Sequence, residues 1–176
     1  MVSLEDLLEA VQKYAKLTVI YRGVTSSNYE LIPKVGRRLK AARPLEAKDE
    51  RYILRLFKQR AIAHLHRAPV DDWEWLAIAQ HHGLPTRLLD WSRNPLVAAY
   101  FAVIEKHAGD SAIYVYRSNR YLETEKHPDP FMVDRVARVI PNHITSRITA
   151  QSGHRRGRRS NGTTPGRSCL LSLAVR

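Results

Sequence analysis

Apolar residues recur at helical spacing in the first half of the chain. A first helix can be capped by Ser3, and residues 46–66 predict a longer helix with one solvated face. Asp71 or Asp72 can cap a third helix that ends near Gly83, a residue suited to a left-handed turn. The apolar positions of the first helix are Leu4, Leu7, Leu8, Val11 and Tyr14.

A fourth helix is predicted to begin at Asn94-Pro95, with proline at its first position. Almost every residue from 96 to 103 is apolar, so we expect this helix to be deeply buried. Residues 143–151, which follow Pro141, predict one more helix.

Three stretches have the composition or alternation of strands. Residues 17–21 are rich in β-branched and aromatic types and predict a strand that ends at Arg22-Gly23, where a loop to about Lys34 begins. Residues 111–116 alternate like a strand, and residues 133–140 predict another. The pattern therefore predicts an α+β fold, mainly helical, with a small mixed or antiparallel sheet.

The composition is that of an ordinary globular domain, with 176 residues of which 44% are apolar. The chain has no apolar run of about 18 residues and no basic segment leading into an apolar stretch at its N-terminus. Cys169 is the only cysteine, which excludes an internal disulfide framework and fits a reducing compartment. We therefore expect a cytoplasmic protein with no membrane partner.

The formal net charge of +12 is concentrated at one end of the chain. Residues 154–176 carry six arginines and no acid, which leaves 23 basic and 17 acidic side chains in residues 1–153. The composition changes abruptly after Gly153. One explanation is a disordered basic arm that binds nucleic acid, and the other, which we favour, is an out-of-frame or mis-joined C-terminus. We expect a domain over residues 1–153 and a separate tail over residues 154–176.

Polar residues and glycine are concentrated between the third and fourth helices. This connection holds His81, His82, Arg87 and Asp90, which are three possible proton carriers and one cation. Adjacent residues point to different sides of a helix, so at most one histidine faces a shared pocket. In the alternative, structural interpretation, Arg87 and Asp90 pair across one turn and Thr86 caps the segment.

Three landmarks occur in order along the chain: Tyr21-Arg22-Gly23, residues 80–92, and Arg147 with Gln151 and Gly153. Together they resemble the FRG domain family, which is named for a Phe/Tyr-Arg-Gly element. The central block, Gln-His-x-Gly-x-Pro-Thr-Arg-Leu-Leu-Asp-Trp, is the most specific match. The loop after the first landmark also fits the family at Ser26, Leu31 and Pro33. The resemblance covers residues 15–153.

The chain departs from the family pattern after the third landmark. Family members usually continue with an apolar, Phe-containing strand, whereas this chain continues with His154-Arg155-Arg156-Gly157. The departure coincides with the composition change, so we expect the last part of the domain to be missing or replaced. Loss of a strand would uncover a sheet edge and apolar surface, which favours aggregation and would reduce activity.

The resemblance also implies a chemistry, because ADP-ribosyltransferases begin their site with a strand that ends in aromatic-Arg-Gly. By this similarity Arg22 would hold the phosphates of NAD, and Gly23 would admit a close backbone approach. In the alternative interpretation the arginine anchors a structural carboxylate such as Asp90. The implied cofactor-binding residues are Tyr21, Arg22, Gly23, Ser26 and Arg87.

The implied catalytic residues are His82, Asp90 and Gln151. His82 can act as an acid or a base near neutral pH, and Asp90 can orient it. Gln151 cannot act as a general base, so it would orient a ribose or a nucleophile by hydrogen bonds, or serve a structural role.

Two classes of function follow. The first is a divergent NAD-dependent ADP-ribosyltransferase-like effector in toxin or phage-defence systems, which requires Arg22 and residues 82–90 to converge on one cavity. The second is a non-catalytic module that binds a ligand, a nucleotide or a nucleic acid. No metal is expected, because the histidines match no familiar ligand spacing. The oligomeric state is left open.

Overall fold

A computed structural model of the chain describes residues 4–14, 18–37, 45–117, 121–140 and 170–173. The helices in these residues are α1 (Leu4–Gln12), α2 (Ala47–Ala61), α3 (Asp72–His81) and α4 (Pro95–Val103). The strands are β1 (Val19–Val24), β2 (Leu88–Trp91), β3 (Ala112–Arg117), β4 (Ala137–Val139) and β5 (Leu170–Leu173). The predicted α+β class is confirmed.

The chain divides into two compact units, each made from two segments. The first unit comprises Met1–Glu30 and Asp90–Tyr121, and the second comprises Leu31–Leu89 and Leu122–Arg176. The predicted domain of residues 1–153 and its separate tail stay predictions. Ser3 and the helix predicted over residues 143–151 lie outside the described residues.

In the first unit, β1 and β3 form an antiparallel pair in which Val19 lies opposite Arg117 and Val24 lies opposite Ala112. Helix α4 packs against β1, and the small core contains Val19, Tyr21 and Ala98. The sequence placed the end of this strand before Arg22. That boundary is wrong, because the hydrogen-bonded ladder with β3 continues through Val24 and encloses both Arg22 and Gly23.

The second unit is built around α2 and α3. Asp71 caps α3 by accepting a 2.7 Å hydrogen bond from the backbone N–H of Glu74. Strands β4 and β5 are antiparallel, and the sheet that contains them has the order β2-β5-β4. The buried core residues are Leu54, Trp73, Trp75, Leu76, Ala77, Ala79, Leu88, Leu122, Phe131, Val133, Ala137 and Val139.

Helix α4 forms where it was predicted, but the prediction of deep burial is wrong. Only Ala98 and Ala102 are buried along it, whereas Tyr100 is 56% and Val103 is 71% exposed. The first unit supplies one layer of sheet, so just one side of the helix is covered. None of the helices in the described part of the chain has the length and apolar character needed to cross a membrane.

Candidate functional site

The Tyr-Arg-Gly element and the end of the central block lie side by side in the first unit. Tyr21 N–H donates to Ser92 O at 2.7 Å, and Ser92 N–H donates back to Tyr21 O at 2.8 Å. The Nη1 atom of Arg22 donates to the backbone carbonyl of Asp90 at 2.5 Å. Two landmarks that are far apart in the sequence therefore form one structural element.

Tyr21 belongs to the packed interior of the first unit. Its side chain is 4% exposed and contacts Val19 and Ala98 in the core. Burial raises the pKa of the Tyr21 hydroxyl, and the nearby Tyr14 raises it further. This placement favours packing over contact with a ligand for Tyr21, which was proposed from the sequence as a cofactor-binding residue.

Gly23 is required by the approach of α4 to β1. A Cβ atom at this position would lie 1.8 Å from Ala98 O and 2.8 Å from Ala102 N. Both contacts are with helix backbone, which cannot move aside without displacing the helix. The close backbone approach expected from the resemblance does occur at Gly23, but in this structure the approaching group is a helix.

Arg22 occupies a more accessible position than Tyr21, its neighbour in the motif. It is half-buried, and it lies directly opposite Tyr114 on β3, so the two side chains share one face of the ladder. Tyr114 Oη donates to the backbone carbonyl of Tyr29 at 3.0 Å, and Asp90 itself is exposed. A guanidinium, a carboxylate-bearing residue and a phenol are therefore neighbours near the surface of the first unit.

Ser26 shapes the loop that follows β1. Its side chain is buried, and its hydroxyl accepts a 3.3 Å hydrogen bond from Asn28 N–H. The adjacent Ser27 N–H donates to Asp110 O at 2.7 Å, which fixes the loop against the residues before β3. Ser26 was predicted to bind the cofactor, and its observed contacts are with the protein backbone.

Arg87 lies in the second unit and is 5% exposed. Its Nε and Nη2 atoms donate to the two carboxylate oxygens of Glu50 at 2.9 and 2.6 Å, and its Nη1 donates to Pro130 O at 3.0 Å. The Phe131 ring lies 4.9 Å from the guanidinium carbon. The predicted pairing of Arg87 with Asp90 across one turn is wrong, because this segment continues as strand β2 and Glu50 takes the guanidinium.

His82 follows the last residue of α3 and is exposed. The next residue, Gly83, has φ of 85°, the left-handed conformation predicted for it, and its carbonyl accepts a 2.9 Å hydrogen bond from Lys34 Nζ. The centre of the His82 ring lies 5.4 Å from the centre of the His81 ring and 6.3 Å from the centre of the Phe57 ring.

The remaining predicted site residue, Gln151, lies outside the described residues. The convergence of His82 and Arg87 with Arg22 stays a prediction, since those two residues lie in the second unit. Within the described ranges, no group of three or more His, Cys, Asp or Glu side chains is arranged to hold a metal ion.

Sequence reasoning missed the main partners of Arg87. Glu50 appeared to be one charge among many on the solvated face of a helix, although it accepts two hydrogen bonds from Arg87. Its only signal was a carboxylate within the first turn of α2. Nothing in the sequence singled out Pro130, which contributes a backbone carbonyl.

The comparisons with known proteins agree with the landmarks. The model of the FRG domain matches residues 17–111, which is more than half of the chain and includes both the Tyr-Arg-Gly element and the central block. No curated protein and no solved structure matches the chain. The chain therefore belongs to the FRG domain family.

Proposed function

We propose that this FRG domain is a divergent NAD-dependent ADP-ribosyltransferase-like domain, in which Arg22 binds the pyrophosphate of NAD. The observation that supports this most strongly is the hydrogen bond from Arg22 Nη1 to Asp90 O at 2.5 Å. It holds the guanidinium beside an exposed acidic residue. The antiparallel ladder of β1 and β3 fixes the backbone on which Arg22 is carried.

A guanidinium suits this role because its planar fork can bind phosphate oxygens through two parallel hydrogen bonds and stays charged at any physiological pH. A side chain anchored by one backbone hydrogen bond loses less conformational entropy when it binds a ligand than a fully mobile one does. Arg22 is also only half-buried, which leaves a route for an anion to reach it.

In the proposed reaction, the bond between ribose C1 and the nicotinamide nitrogen breaks, and nicotinamide leaves with the bonding electrons. The developing oxocarbenium-like centre takes a new bond from a nucleophile of the acceptor, which loses its proton. The Asp90 carboxylate would stabilise the positive charge or bind a ribose hydroxyl. Solvent water would take the proton from the acceptor, and the roles expected for His82 as a base and for Gln151 in orienting the ribose stay predictions from the sequence.

Arg87 receives a supporting role in this proposal. Its three guanidinium nitrogens bind Glu50 and Pro130 within the second unit, so we assign it to the folding of the central block and not to NAD contact. The biological role that fits best is an effector that modifies a target in toxin or phage-defence systems.

The test is incubation of the chain with NAD labelled in its adenylate part, with nicotinamide release and label transfer measured separately. Arg22→Gln removes the cation, and we expect release to fall by about 100-fold or more, as is typical when one donor to a developing charge is lost. Arg117→Gln is the matched control, because Arg117 is an exposed arginine at the other end of the same ladder. We expect its activity to equal that of the wild type.

Two results would count against the proposal. One is the absence of nicotinamide release by the wild-type chain together with salt-dependent oligonucleotide binding, which would favour the non-catalytic nucleic-acid-binding module. The other is equal activity of Arg22→Gln and Arg117→Gln.

A further inference from the structure

Helix α4 carries an exposed apolar surface on the side that faces away from β1. We define the α4 outer face as Leu96, Tyr100, Phe101, Val103 and Ile104, whose side chains are 50%, 56%, 45%, 71% and 51% exposed. Four of the five are spaced as i, i+4, i+7 and i+8, which places them in one stripe along the helix. The opposite side, with Ala98 and Ala102, is buried.

This surface is uncharged over its whole length, since residues 95–104 contain no ionisable side chain except the phenol of Tyr100. A helix that is apolar on all sides is ordinarily buried on all sides, and a contiguous exposed apolar patch marks an interaction site. The absence of charge argues against a polyanion or an acidic peptide as the partner, because those ligands need cations at the contact.

Charges of opposite sign stand at the two ends of the α4 outer face. Arg93 precedes the helix, Glu105 follows it, and both are exposed. The two are equally distant along the chain from Ala99, a small residue at the centre of the helix. When two copies of one helix pair antiparallel about a two-fold axis through the centre, residues equidistant from that centre meet. Arg93 of each copy then lies near Glu105 of the other.

We propose that the α4 outer face binds the same face of a second copy of this chain, with the two helices antiparallel and related by a two-fold axis. The pairing would bury the apolar stripe on both copies and form the Arg93–Glu105 contact twice. It also sets the two helix dipoles side by side and antiparallel, so that the N-terminus of each helix lies beside the C-terminus of the other, an arrangement that electrostatics favours. This inference does not depend on the proposed function.

The size of the patch sets the expected strength of this dimer. Five large apolar side chains that are about half exposed present roughly 400 Å². Each partner of a standard interface contributes about 800 Å². We therefore expect a dimer that dissociates on dilution.

Sedimentation velocity over a range of protein concentrations tests the proposal. The wild type should shift from monomer to dimer as the concentration rises, and Tyr100→Glu should stay monomeric because it buries a charge in the contact. Val70→Glu is the matched control, since Val70 is a 72% exposed apolar residue of the second unit. It should dimerise like the wild type. Circular dichroism spectra of all variants check that they are folded.

Charge reversal tests the antiparallel arrangement itself. Arg93→Glu and Glu105→Arg should each weaken the dimer by about tenfold, because each replaces two attractive contacts with two repulsive ones. An equimolar mixture of the two variants should recover the dimer, since opposite charges then face each other at both ends of the paired helices. The proposal is overturned by a wild type that is monomeric at every concentration. It is also overturned by a Tyr100→Glu variant that dimerises normally, or by a mixture no stronger than its components.

Discussion

Arg22 and Arg87 are the arginines of the first two FRG landmarks, and their surroundings in the two units differ. In the first unit, Arg22 is half-buried on a strand and donates to a backbone carbonyl. In the second unit, Arg87 is almost fully buried, binds both oxygens of Glu50, and lies against the ring of Phe131. The comparison separates an arginine placed at an accessible surface from one that is part of the interior.

The difference follows from how much contact with water each guanidinium loses when the chain folds. A charge withdrawn from water needs an opposite charge with matching geometry, which a bidentate carboxylate provides. A guanidinium that keeps contact with water can exchange a water molecule for a ligand. The same residue type in one family motif can therefore stabilise the fold in one unit and remain accessible to a ligand in the other.

The largest effect should come from breaking the buried pair of the second unit. Arg87→Ala leaves the Glu50 carboxylate without its partner, and we expect the free energy of unfolding to fall by about 3–5 kcal/mol. Urea denaturation followed by tryptophan fluorescence measures the loss. The double variant Arg87→Met with Glu50→Leu should recover most of it, because no lone charge then remains. A loss below about 1 kcal/mol in the single variant, on the order of a surface pair, would contradict the comparison.

In the first unit the sensitive residue should be the glycine beside the arginine. Gly23→Ala places a methyl group against the backbone of α4, and we expect a loss of about 3 kcal/mol, at the upper end for overpacking. Gly109→Ala is the control in the same unit, because the added Cβ would meet only the His107 side chain, whose nearest atom is 3.0 Å away. If both variants have the same urea midpoint, α4 does not depend on the absence of a side chain at Gly23.

Arg22→Gln should affect stability much less than Arg87→Ala does. It removes the hydrogen bond from a half-buried cation to Asp90 O, which contributes about 1.5 kcal/mol, the lower end for a charged donor. The urea midpoint of this variant should therefore fall much less than that of Arg87→Ala, whereas the proposed NAD-dependent activity should fall by about 100-fold or more. A destabilisation as large as that of Arg87→Ala would show that both motif arginines serve the fold.

A smaller loss of stability is expected at acidic pH, and it arises from Asp129 in the second unit. Burial of Asp129 favours its neutral form and by itself would raise the pKa of its carboxyl. Hydrogen bonds from Arg51 and from Phe131 N–H, together with the charges of Arg51 and Arg87, have the larger effect, so the pKa of Asp129 is lowered. The unfolded chain then binds this proton more readily, so stability falls as the pH drops below about 3.8. Urea midpoints measured across this range should decline less in Asp129→Asn.

In the first unit, the corresponding loss of stability is expected at alkaline pH and arises from the Tyr21 hydroxyl. The pKa of the Tyr21 hydroxyl is raised in the folded chain, so the folded state keeps its proton where the unfolded state loses it. Stability is therefore retained up to about pH 10, the ordinary value, and is lost as the pH rises above it. Tyr21→Phe should flatten this decline. An unchanged alkaline profile in Tyr21→Phe would assign the effect to other tyrosines.

The features that could be predicted from sequence are those set by neighbouring residues. Asp71 and Asn94 cap their helices through hydrogen bonds within a few residues, and Gly83 ends α3 with a positive φ. Each of these depends on local backbone geometry, which a short stretch of sequence determines.

The features that sequence reasoning missed depend on contacts between distant segments. The partner of Arg87 is Glu50, 37 residues away, and no local pattern distinguishes it from the other charges of α2. Asp90 was named from the sequence as a partner of Arg22, and the structure adds a hydrogen bond to the main-chain oxygen of Asp90, which any residue would offer. The exposure of α4 was missed because an apolar sequence shows a preference for burial and does not show what will cover it.

The bridge between Tyr21 and Ser92 also constrains the order of events during synthesis. Residues 1–30 must wait until more than sixty further residues have left the ribosome before β1 can meet its partners, since Ser92, α4 and β3 all come later. Closing a loop of that length carries an entropic penalty, and contacts of high sequence separation form slowly. The N-terminal segment is therefore expected to emerge without its native neighbours, so that the family's signature element reaches its final environment only after β3 has been synthesised.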